Sequence, residues 1–311
     1  MSLLVVGSVA LDTIETPFGI SERTIGGSGT YISLSSSYFA SHSKQVNVVA
    51  VIGNDFPEKG MTTFKEHGVN TDGIQVKENE KSFFWHGKYH HDMNSRDTLV
   101  TELNVLGDFD PVIPESYQDC EYLMLGNLAP KVQQNVIERL KKRPKLIVMD
   151  TMNFWMEPAF IDDLKHTMTM VDVLSINDEE ARQLSGEYSL VKAARKIMTM
   201  GPKYLIIKKG EHGALLFHDK NIFFTPALPL EEVFDPTGAG DTFAGGFIGY
   251  LADTGDVSFD NMKRAIVYGS AMASFCVGKF GTDGLIDLPS DALTERVREF
   301  VDLVQFEIAM V

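Results

Sequence analysis

Short apolar runs separated by segments with helical periodicity recur along most of the chain. Continuous apolar runs of this length are typical of strands that are buried on both faces of a parallel sheet. The runs are Leu3–Val6, Val46–Ile52, Glu121–Leu125, Lys145–Asp150, Val171–Ile176 and Tyr204–Lys208. Helical spacing lies between them, near residues 30–40, 56–66, 131–142, 157–168, 178–185 and 189–200. This alternation predicts an α/β fold with a doubly wound, mostly parallel sheet flanked by helices.

Two stretches, at about residues 12–25 and 73–106, follow a different pattern. They alternate apolar and polar residues with charged breaks, which is typical of exposed antiparallel strands and hairpins. We expect them to form a small sheet outside the main layer. Lys88, His90 and Arg96 are candidate substrate contacts there, whereas the adjacent His90 and His91 would point to opposite faces of a strand and predict no shared metal site.

The composition limits the classes of function. The 311 residues are 44% hydrophobic, enough for one large α/β domain or two modest ones. The net charge of −15, with no Lys/Arg-rich tract, argues against nucleic-acid binding. Cys120 and Cys276 form neither a metal-binding spacing nor a disulfide framework. Because we find no signal-peptide pattern and no apolar stretch of membrane-spanning length, we expect a soluble, cytoplasmic protein.

A glycine-dense turn near the C-terminal third, residues 233–247, runs into a segment with helical periodicity. Gly238, Ala239 and Gly240 lack bulk, so their N–H groups can approach an anion at a helix start. Asp241 would repel a phosphate, and it makes more sense as a group that takes a proton from an incoming hydroxyl. The alternative is an ordinary loop in which Asp241 is a first-turn acid.

The longer string around this turn favours an anion-binding helix start over an ordinary loop. Asp-Pro-Thr-Gly-Ala-Gly-Asp-Thr-Phe at 235–243, followed by Gly-Gly-Phe at 245–247, resembles the C-terminal motif of the ribokinase-like (PfkB) carbohydrate kinase family. Further family-like strings occur in the family's order at 26–27, 51–56, 177–180 and 208–214. The resemblance implies a single kinase domain over residues 1–311, with the small sheet as a lid over the acceptor and, in some members, a homodimer contact.

The resemblance also implies an ATP-dependent phosphotransferase with an alcohol group as acceptor and assigns roles to individual residues. Asp241 would be the general base and residues 238–240 the anion hole. The implied acceptor-binding residues are Asp12, Gly26, Gly27, Tyr31, Asn127 and Asn153. The implied nucleotide-binding residues are Lys209, Gly210, Gly213, Thr237, Gly238, Gly240 and Gly281. Asn177 and Glu180 would help to hold Mg²⁺ through water, and a monovalent cation would lie near Asp235 and Thr237.

Several of these residues have simpler interpretations. Asn177 with its following acids is also a good helix N-cap, and Asp12 could be a turn former. The chain departs from the family at Tyr31, where ribokinase-like members carry an asparagine, and at Trp155, which replaces an arginine. Both departures favour a neutral, ring-shaped acceptor, which leaves a sugar, an inositol or a nucleoside open.

Other functions fit the sequence less well. A homologue that binds ligand but has lost catalysis is an alternative, against which the intact Asp241, Asn177 and Glu180 argue. The chain lacks the Gly-x-x-x-x-Gly-Lys-[Ser/Thr] motif of Walker-type NTPases, and Gly7 does not begin a dinucleotide-binding fingerprint.

Overall fold

The computed structural model describes residues 2–40 and 45–305. The strands are β1 (Ser2–Val6), β2 (Ala10–Thr16), β3 (Gly19–Gly26), β4 (Gln45–Gly53), β5 (Val69–Lys77), β6 (Phe83–Tyr89), β7 (Arg96–Glu102), β8 (Tyr122–Leu125), β9 (Leu146–Asp150), β10 (Val173–Asn177), β11 (Tyr204–Lys208), β12 (Ala214–His218) and β13 (Asn221–Thr225). The helices are α1 (Ser28–Ser37), α2 (Glu58–Glu66), α3 (Pro130–Arg139), α4 (Ile161–Met168), α5 (Asp178–Ser185), α6 (Leu190–Met198), α7 (Ala239–Thr254), α8 (Phe259–Cys276) and α9 (Ala292–Val304).

Nine strands form the main sheet, in the order β13-β12-β11-β10-β9-β8-β1-β4-β5. Neighbouring strands from β11 to β5 in this order are parallel, whereas β12 and β13 are antiparallel additions at one edge. Alternate residues of β1 enter different cores, with Leu4 and Val6 on one face and Leu3 and Val5 on the other. Burial on both faces explains the continuous apolar runs, and the predicted α/β fold is confirmed.

The small sheet has the order β3-β2-β6-β7. Its boundaries differ from the predicted ones, because β5 pairs in parallel with β4 at the edge of the main sheet. Residues 73–77 therefore belong to the main layer. The prediction was wrong here because an edge strand is only partly buried, so its alternating pattern resembles that of an exposed hairpin. The pairing of β2 with β6 is parallel, which the prediction of antiparallel strands also missed.

Helix α7 lies between α1 and α8 on one face of the main sheet. It approaches α1 so closely that a Cβ on Gly245 would lie 2.5 Å from the carbonyl oxygen of Ile32. This close packing sets the position of the N-terminal end of α7, which carries the glycine-dense turn. Among the described residues, no helix has the length and apolarity that a bilayer span needs. The end of the predicted domain, residues 306–311, lies outside the described part of the chain.

Candidate active site

The glycine-dense turn forms the start of α7. Gly238 is the N-cap residue in the left-handed conformation, with φ 75° and ψ 0°, and no side chain caps the helix. The N–H of Ala239 donates to the carbonyl oxygen of Pro236 at 3.2 Å, so this group of the predicted anion hole already has a partner. The N–H groups of Gly240 and Asp241 belong to the first turn, where the helix itself offers no acceptor. The turn can therefore receive an anion.

Asp241 lies in this first turn and is partly accessible. Burial of the carboxyl group raises its pKa to about 7, and the nearby carboxylate of Asp150 adds to this effect. The positive charges of Lys208 and Arg96 oppose it and lower the pKa. A carboxyl group with a pKa near neutrality is suited to accept a proton at physiological pH.

An ion pair that the sequence analysis did not assign lies beside Asp241. Lys208, at the end of β11, donates from Nζ to Oδ2 of Asp150 at the end of β9, at 2.6 Å. The Lys208 and Asp150 side chains are only 17% and 5% exposed. A Cβ added to Gly240 would lie 3.2 Å from Nζ of Lys208, so the ammonium group is next to the start of α7.

The neighbouring Lys209 has a different environment. Its ammonium group lies 5.9 Å from the centre of the Phe224 ring on β13, and its backbone N–H donates to the Gly213 carbonyl at 2.8 Å. Gly210 and Gly213 have positive φ values, which the turn between β11 and β12 requires. Glu211 in this turn accepts a hydrogen bond from Nδ2 of Asn94 at 3.2 Å. The tip of the β6–β7 hairpin therefore contacts the turn that was predicted to bind nucleotide.

Asp12, Gly26 and Gly27 lie together, in agreement with their predicted grouping. A Cβ on Gly26 would lie 1.9 Å from Oδ2 of Asp12, so only glycine leaves room for this carboxylate. Burial of Asp12 raises its pKa to about 7, with contributions from Asp235 and Asp241, while the Gly27 N–H lowers it. The influence of Asp241 indicates that the carboxyl groups of Asp12 and the candidate base lie near each other.

Tyr31 does not have the environment expected of an acceptor contact. Its side chain is 1% exposed and packs with Leu34, Met272 and Cys276 in a core cluster. A Cβ on Gly238 would lie 2.5 Å from the Tyr31 ring, so the ring lies directly against the glycine turn. The hydroxyl has no hydrogen-bond partner among the described residues. The residue supports the turn from the core side.

Asn127 and Asn153, the other predicted acceptor contacts, lie beyond the ends of β8 and β9. The Nε1–H of Trp155 donates to Oδ1 of Asn127 at 2.8 Å, so the indole that replaces the family's arginine holds this amide. Asn153 is exposed and begins the short 3₁₀ turn Asn153–Met156. Phe154, in the same turn, is also half-exposed. This segment presents an amide and aromatic rings and no positive charge.

Asn177 and Glu180 form a reciprocal cap at the start of α5. Oδ1 of Asn177 accepts from the Glu180 N–H at 2.8 Å, and Oε2 of Glu180 accepts from the Asn177 N–H at 2.9 Å. Asn177 is thus a helix N-cap, which is the simpler interpretation of this motif. Burial of Glu180 raises its pKa to about 7; the charge of Lys208 lowers it and that of Asp150 raises it. Within the described residues, no three His, Cys, Asp or Glu side chains are grouped to hold a metal directly.

Asp235 is fully buried below the turn. Its two carboxylate oxygens accept the N–H groups of Thr237 and Gly281, each at 2.8 Å. Burial raises its pKa, and these hydrogen bonds oppose the shift. Oγ1 of Thr237 donates to the hydroxyl oxygen of Tyr89 on β6 at 3.3 Å, which connects the small sheet to the turn. The monovalent cation near Asp235 and Thr237 stays a prediction.

Known proteins resemble the chain along most of its length. A family model described as pfkB family carbohydrate kinase matches residues 22–288. A cytidine kinase from Thermococcus kodakarensis is 31% identical over 253 residues, 80% of this chain and 87% of the relative. A ribokinase from Lactococcus lactis is 25% identical over 295 residues, 90% of this chain and 92% of the relative.

The solved structure of Arabidopsis thaliana ribokinase complexed with ribose and ATP has a similar fold. Its TM-score is 0.73 at 20% identity, and the match covers 95% of this chain and 98% of that chain. Because the sequence identity is only 20%, this comparison shows a similar fold and is not used to assign an activity.

Proposed function

The chain belongs to the PfkB family of carbohydrate kinases, and we propose that it transfers the γ-phosphate of ATP to a hydroxyl of a sugar or sugar-like acceptor, with Asp241 as the general base. The observation that carries this proposal is the position of Asp241. A carboxyl group whose pKa is raised to about 7 lies in the first turn of a helix whose N-terminus can receive a phosphate.

In the proposed reaction, the acceptor oxygen forms a bond to the γ-phosphorus while the bond to the oxygen that bridges the β- and γ-phosphates breaks. ADP leaves with the electron pair of that bond, and the hydroxyl proton passes to Asp241. The first-turn N–H groups of α7, near Gly240, would stabilise the charge on the phosphoryl oxygens. The hydrogen bond that Thr237 donates to Tyr89 of the small sheet, and the one that Asn94 of the β6–β7 hairpin donates to Glu211, would help to exclude water from the site.

The residues near the capped start of α5 fit a magnesium ion. Both side chains carry oxygen atoms, and the buried Glu180 has one carboxylate oxygen that the cap does not use. Mg²⁺ prefers oxygen ligands and keeps several waters, so Asn177 and Glu180 would hold it through water. When bound, the ion would neutralise charge on the ATP phosphates. Glu180 itself would keep α5 positioned through the reciprocal cap.

A nucleoside is a second candidate acceptor, favoured by two observations. The relative that is 31% identical is named as a cytidine kinase. Trp155 replaces the arginine that would clamp an acidic substituent, and it holds Asn127 by a hydrogen bond of 2.8 Å, which suits a neutral acceptor. An inositol acceptor is compatible with the same argument. Asp12, held beside Gly26, would accept hydrogen bonds from the hydroxyls of any of these acceptors.

A screen of ADP release tests the function and identifies the acceptor. The purified protein is mixed with ATP, Mg²⁺ and, in separate reactions, pentoses, hexoses, inositols and nucleosides. We expect one class to give ADP release well above the rate without acceptor. The Asp241→Asn variant should lose about 10²- to 10⁴-fold in kcat, the usual contribution of a positioned base. A thermal shift with ATP but no ADP release from any acceptor would support a catalytically silent homologue instead.

Pairing of two copies through the small sheet is a further proposal. Its outer strands β3 and β7 carry the exposed apolar side chains of Ile20 and Leu99. Burying such residues against a second copy would be favourable. Sedimentation velocity of the wild-type protein and of an Ile20→Lys variant tests it, since the variant should shift the protein towards a monomer.

A further inference from the structure

We propose that Trp85 is a specificity-determining residue of the acceptor site, and that its indole ring stacks on the planar base of a nucleoside acceptor. The inference rests on the proposed kinase function and narrows the acceptor from sugar-like molecules in general to nucleosides. Trp85 lies on β6 of the small sheet. The family-like motifs of the sequence do not include it.

Trp85 lies on the face of the small sheet that is directed towards the candidate active site. It is the register partner of Asp12 in the parallel pairing of β6 with β2, so both side chains point to the same face. Tyr89 lies on this face of β6 as well, and its hydroxyl oxygen accepts a hydrogen bond from Thr237 of the glycine-dense turn. Neighbouring strands are about 4.8 Å apart, so one small molecule can contact both Asp12 and Trp85.

The indole ring is held flat against its own strand. A Cβ on Gly87 would lie 2.0 to 2.8 Å from three carbons of the six-membered ring, so the ring lies directly on the Gly87 backbone. The Nε1–H donates to Oγ1 of Thr98 on β7 at 3.3 Å. Cζ of Arg96 lies 5.7 Å from the ring centre, within the range of a cation–π interaction. Because these contacts fix the ring before a ligand arrives, less freedom is lost on binding.

Trp85 does not serve the hydrophobic cores. Among the described residues, it packs against none of the three core clusters, whereas Trp155 packs against one of them. The Trp85 side chain is partly exposed. A large aromatic side chain that is fixed in place without being packed into a core is typical of a binding surface.

The chemistry of the indole face favours a nucleoside over the other acceptors. Since the N–H is already bonded to Thr98, the ring presents only an apolar π-surface. An inositol carries a hydroxyl on every ring carbon, and a free pentose carries one at its anomeric carbon. Burying a hydroxyl against this surface without a partner costs free energy. A nucleoside has a planar base in place of the anomeric hydroxyl, and stacking of a base on an aromatic side chain is favourable for every base.

A role confined to the stability of the small sheet is the competing explanation, and matched variants separate the two. Trp85→Leu removes the aromatic ring and keeps an apolar side chain, whereas Trp85→Phe keeps a ring that can stack. Phe84→Leu is the matched control. Phe84 precedes Trp85 on β6 and pairs with Leu11, so it lies on the opposite face. Its ring also has an arginine nearby, with Cζ of Arg23 at 5.5 Å.

Tryptophan fluorescence reports on the ring directly, because Trp85 and Trp155 are the two tryptophans of the chain. Cytidine, uridine and inosine are titrated into the protein without ATP, with ribose and myo-inositol for comparison. Adenosine is titrated in the presence of saturating ADP, which occupies the nucleotide side. We expect at least one nucleoside to quench the emission of the wild type, whereas ribose and myo-inositol leave it unchanged. The quenching should be lost in Trp85→Leu.

ADP-release kinetics with the same nucleoside measure what the contact contributes. In Trp85→Leu we expect the nucleoside KM to rise by about 5- to 150-fold, the range expected for the loss of one stacked base. The kcat at saturation, the ATP KM and the melting temperature should stay near the wild-type values, whereas a loosened small sheet would change them too. Trp85→Phe should recover most of the affinity, and Phe84→Leu should match the wild type.

Other results would overturn the assignment. A nucleoside KM in Trp85→Leu within about twofold of the wild type, or a nucleoside that binds without quenching, would show that the base does not contact the ring. Failure of every nucleoside to bind would also overturn it, and turnover of ribose or myo-inositol would then leave the kinase function intact. If Trp85→Leu melts early, Gly87→Ala takes its place, because the added Cβ would displace the indole, and the same KM criterion applies. Quenching by a nucleoside without any ADP release would instead count against the kinase function and would leave the contact with Trp85 standing.

Discussion

The ring of Tyr31 lies face-on against the backbone of Gly238, so that a Cβ at position 238 would come within 2.5 Å of three ring carbons. Gly238 also has a φ of 75°, which side-chain-bearing residues adopt at a cost of about 1–2 kcal/mol. Gly238→Ala combines this strain with a steric clash. We expect it to lower the melting temperature and to reduce kcat, because the turn must move away from Tyr31.

Gly186→Ala is the matched control for this prediction. Gly186 follows α5 with a φ of 69°, and a Cβ there would meet nothing within 4 Å. Gly186→Ala therefore introduces the backbone strain without the steric clash. Gly186 also lies outside the candidate site. Thermal melts and ADP-release kinetics of both variants measure the difference. Equal destabilisation and unchanged kcat in Gly238→Ala would contradict the role of the Tyr31 contact.

Tyr31→Phe tests whether the tyrosine hydroxyl contacts the acceptor. The hydroxyl is buried without a partner among the described residues, and removal of such a group is neutral or stabilising. We expect an unchanged or slightly higher melting temperature and an acceptor KM within about twofold of the wild type, since no binding contact would be lost. A tenfold rise in KM would restore the interpretation of Tyr31 as an acceptor contact.

The alternation of side chains along strands explains one difference between the sequence-based prediction and the structure. Lys208 and Lys209 are adjacent in sequence, and the family-like turn motif led to the choice of Lys209. In the structure Lys208 pairs with Asp150 beside α7, whereas Lys209 lies over Phe224. Successive residues at a strand end point in opposite directions, so the sequence alone does not show which of the two lysines lies beside α7, and the assignment of Lys209 to the nucleotide stays a prediction. The strand-end position of Lys208 was the available signal.

Other features followed directly from local patterns. The parallel core was predictable because its strands other than β5 are apolar on both faces, and the grouping of Asp12 with Gly26 and Gly27 followed from the family resemblance. Tyr31 was assigned to the acceptor site by its alignment with the family's asparagine, and such an alignment does not show that the side chain is buried against Gly238. Strand β5 was assigned to the wrong sheet because edge strands of both sheets alternate in the same way.

The raised pKa of Asp241 predicts the pH dependence of catalysis. As a base the carboxyl group must be ionised, so kcat/KM should rise with pH and level off above the pKa of about 7. Asp150 raises this pKa through its charge, and Asp150→Asn should therefore shift the rising limb to lower pH. Rates measured between pH 5 and 9 in buffers of constant ionic strength provide the test. A flat profile across this range, as expected for a carboxyl group with the ordinary aspartate pKa of 3.8, would contradict the assignment.

The buried carboxyl group of Asp12 predicts a pH dependence of stability. Its pKa is raised from 3.8 to about 7 in the folded protein, chiefly by burial, so the folded state binds the proton more tightly than the unfolded chain does. The stability contributed by this proton is fully present below about pH 4 and is lost as the pH rises through 7. Asp12→Asn removes the titration and keeps the size of the side chain. We therefore expect the variant to be more stable than the wild type at pH 8, by up to about 4 kcal/mol, with a smaller difference at pH 6.

Urea unfolding at pH 6 and pH 8 measures the free energy of unfolding of the wild type and of Asp12→Asn at each pH. Asp108→Asn removes one exposed carboxylate and serves as the control for the change in net charge. Glu180 and Asp241 also have raised pKa values, but both are present in all three proteins, so the part of their contribution that does not depend on the Asp12 charge cancels from the difference. If Asp12→Asn and the wild type differed by the same amount at both pH values, the Asp12 carboxyl group would not hold a proton in the folded state. The acceptor KM should rise in this variant even though its stability increases, because the carboxylate that destabilises the free protein would be the one that accepts hydrogen bonds from the acceptor.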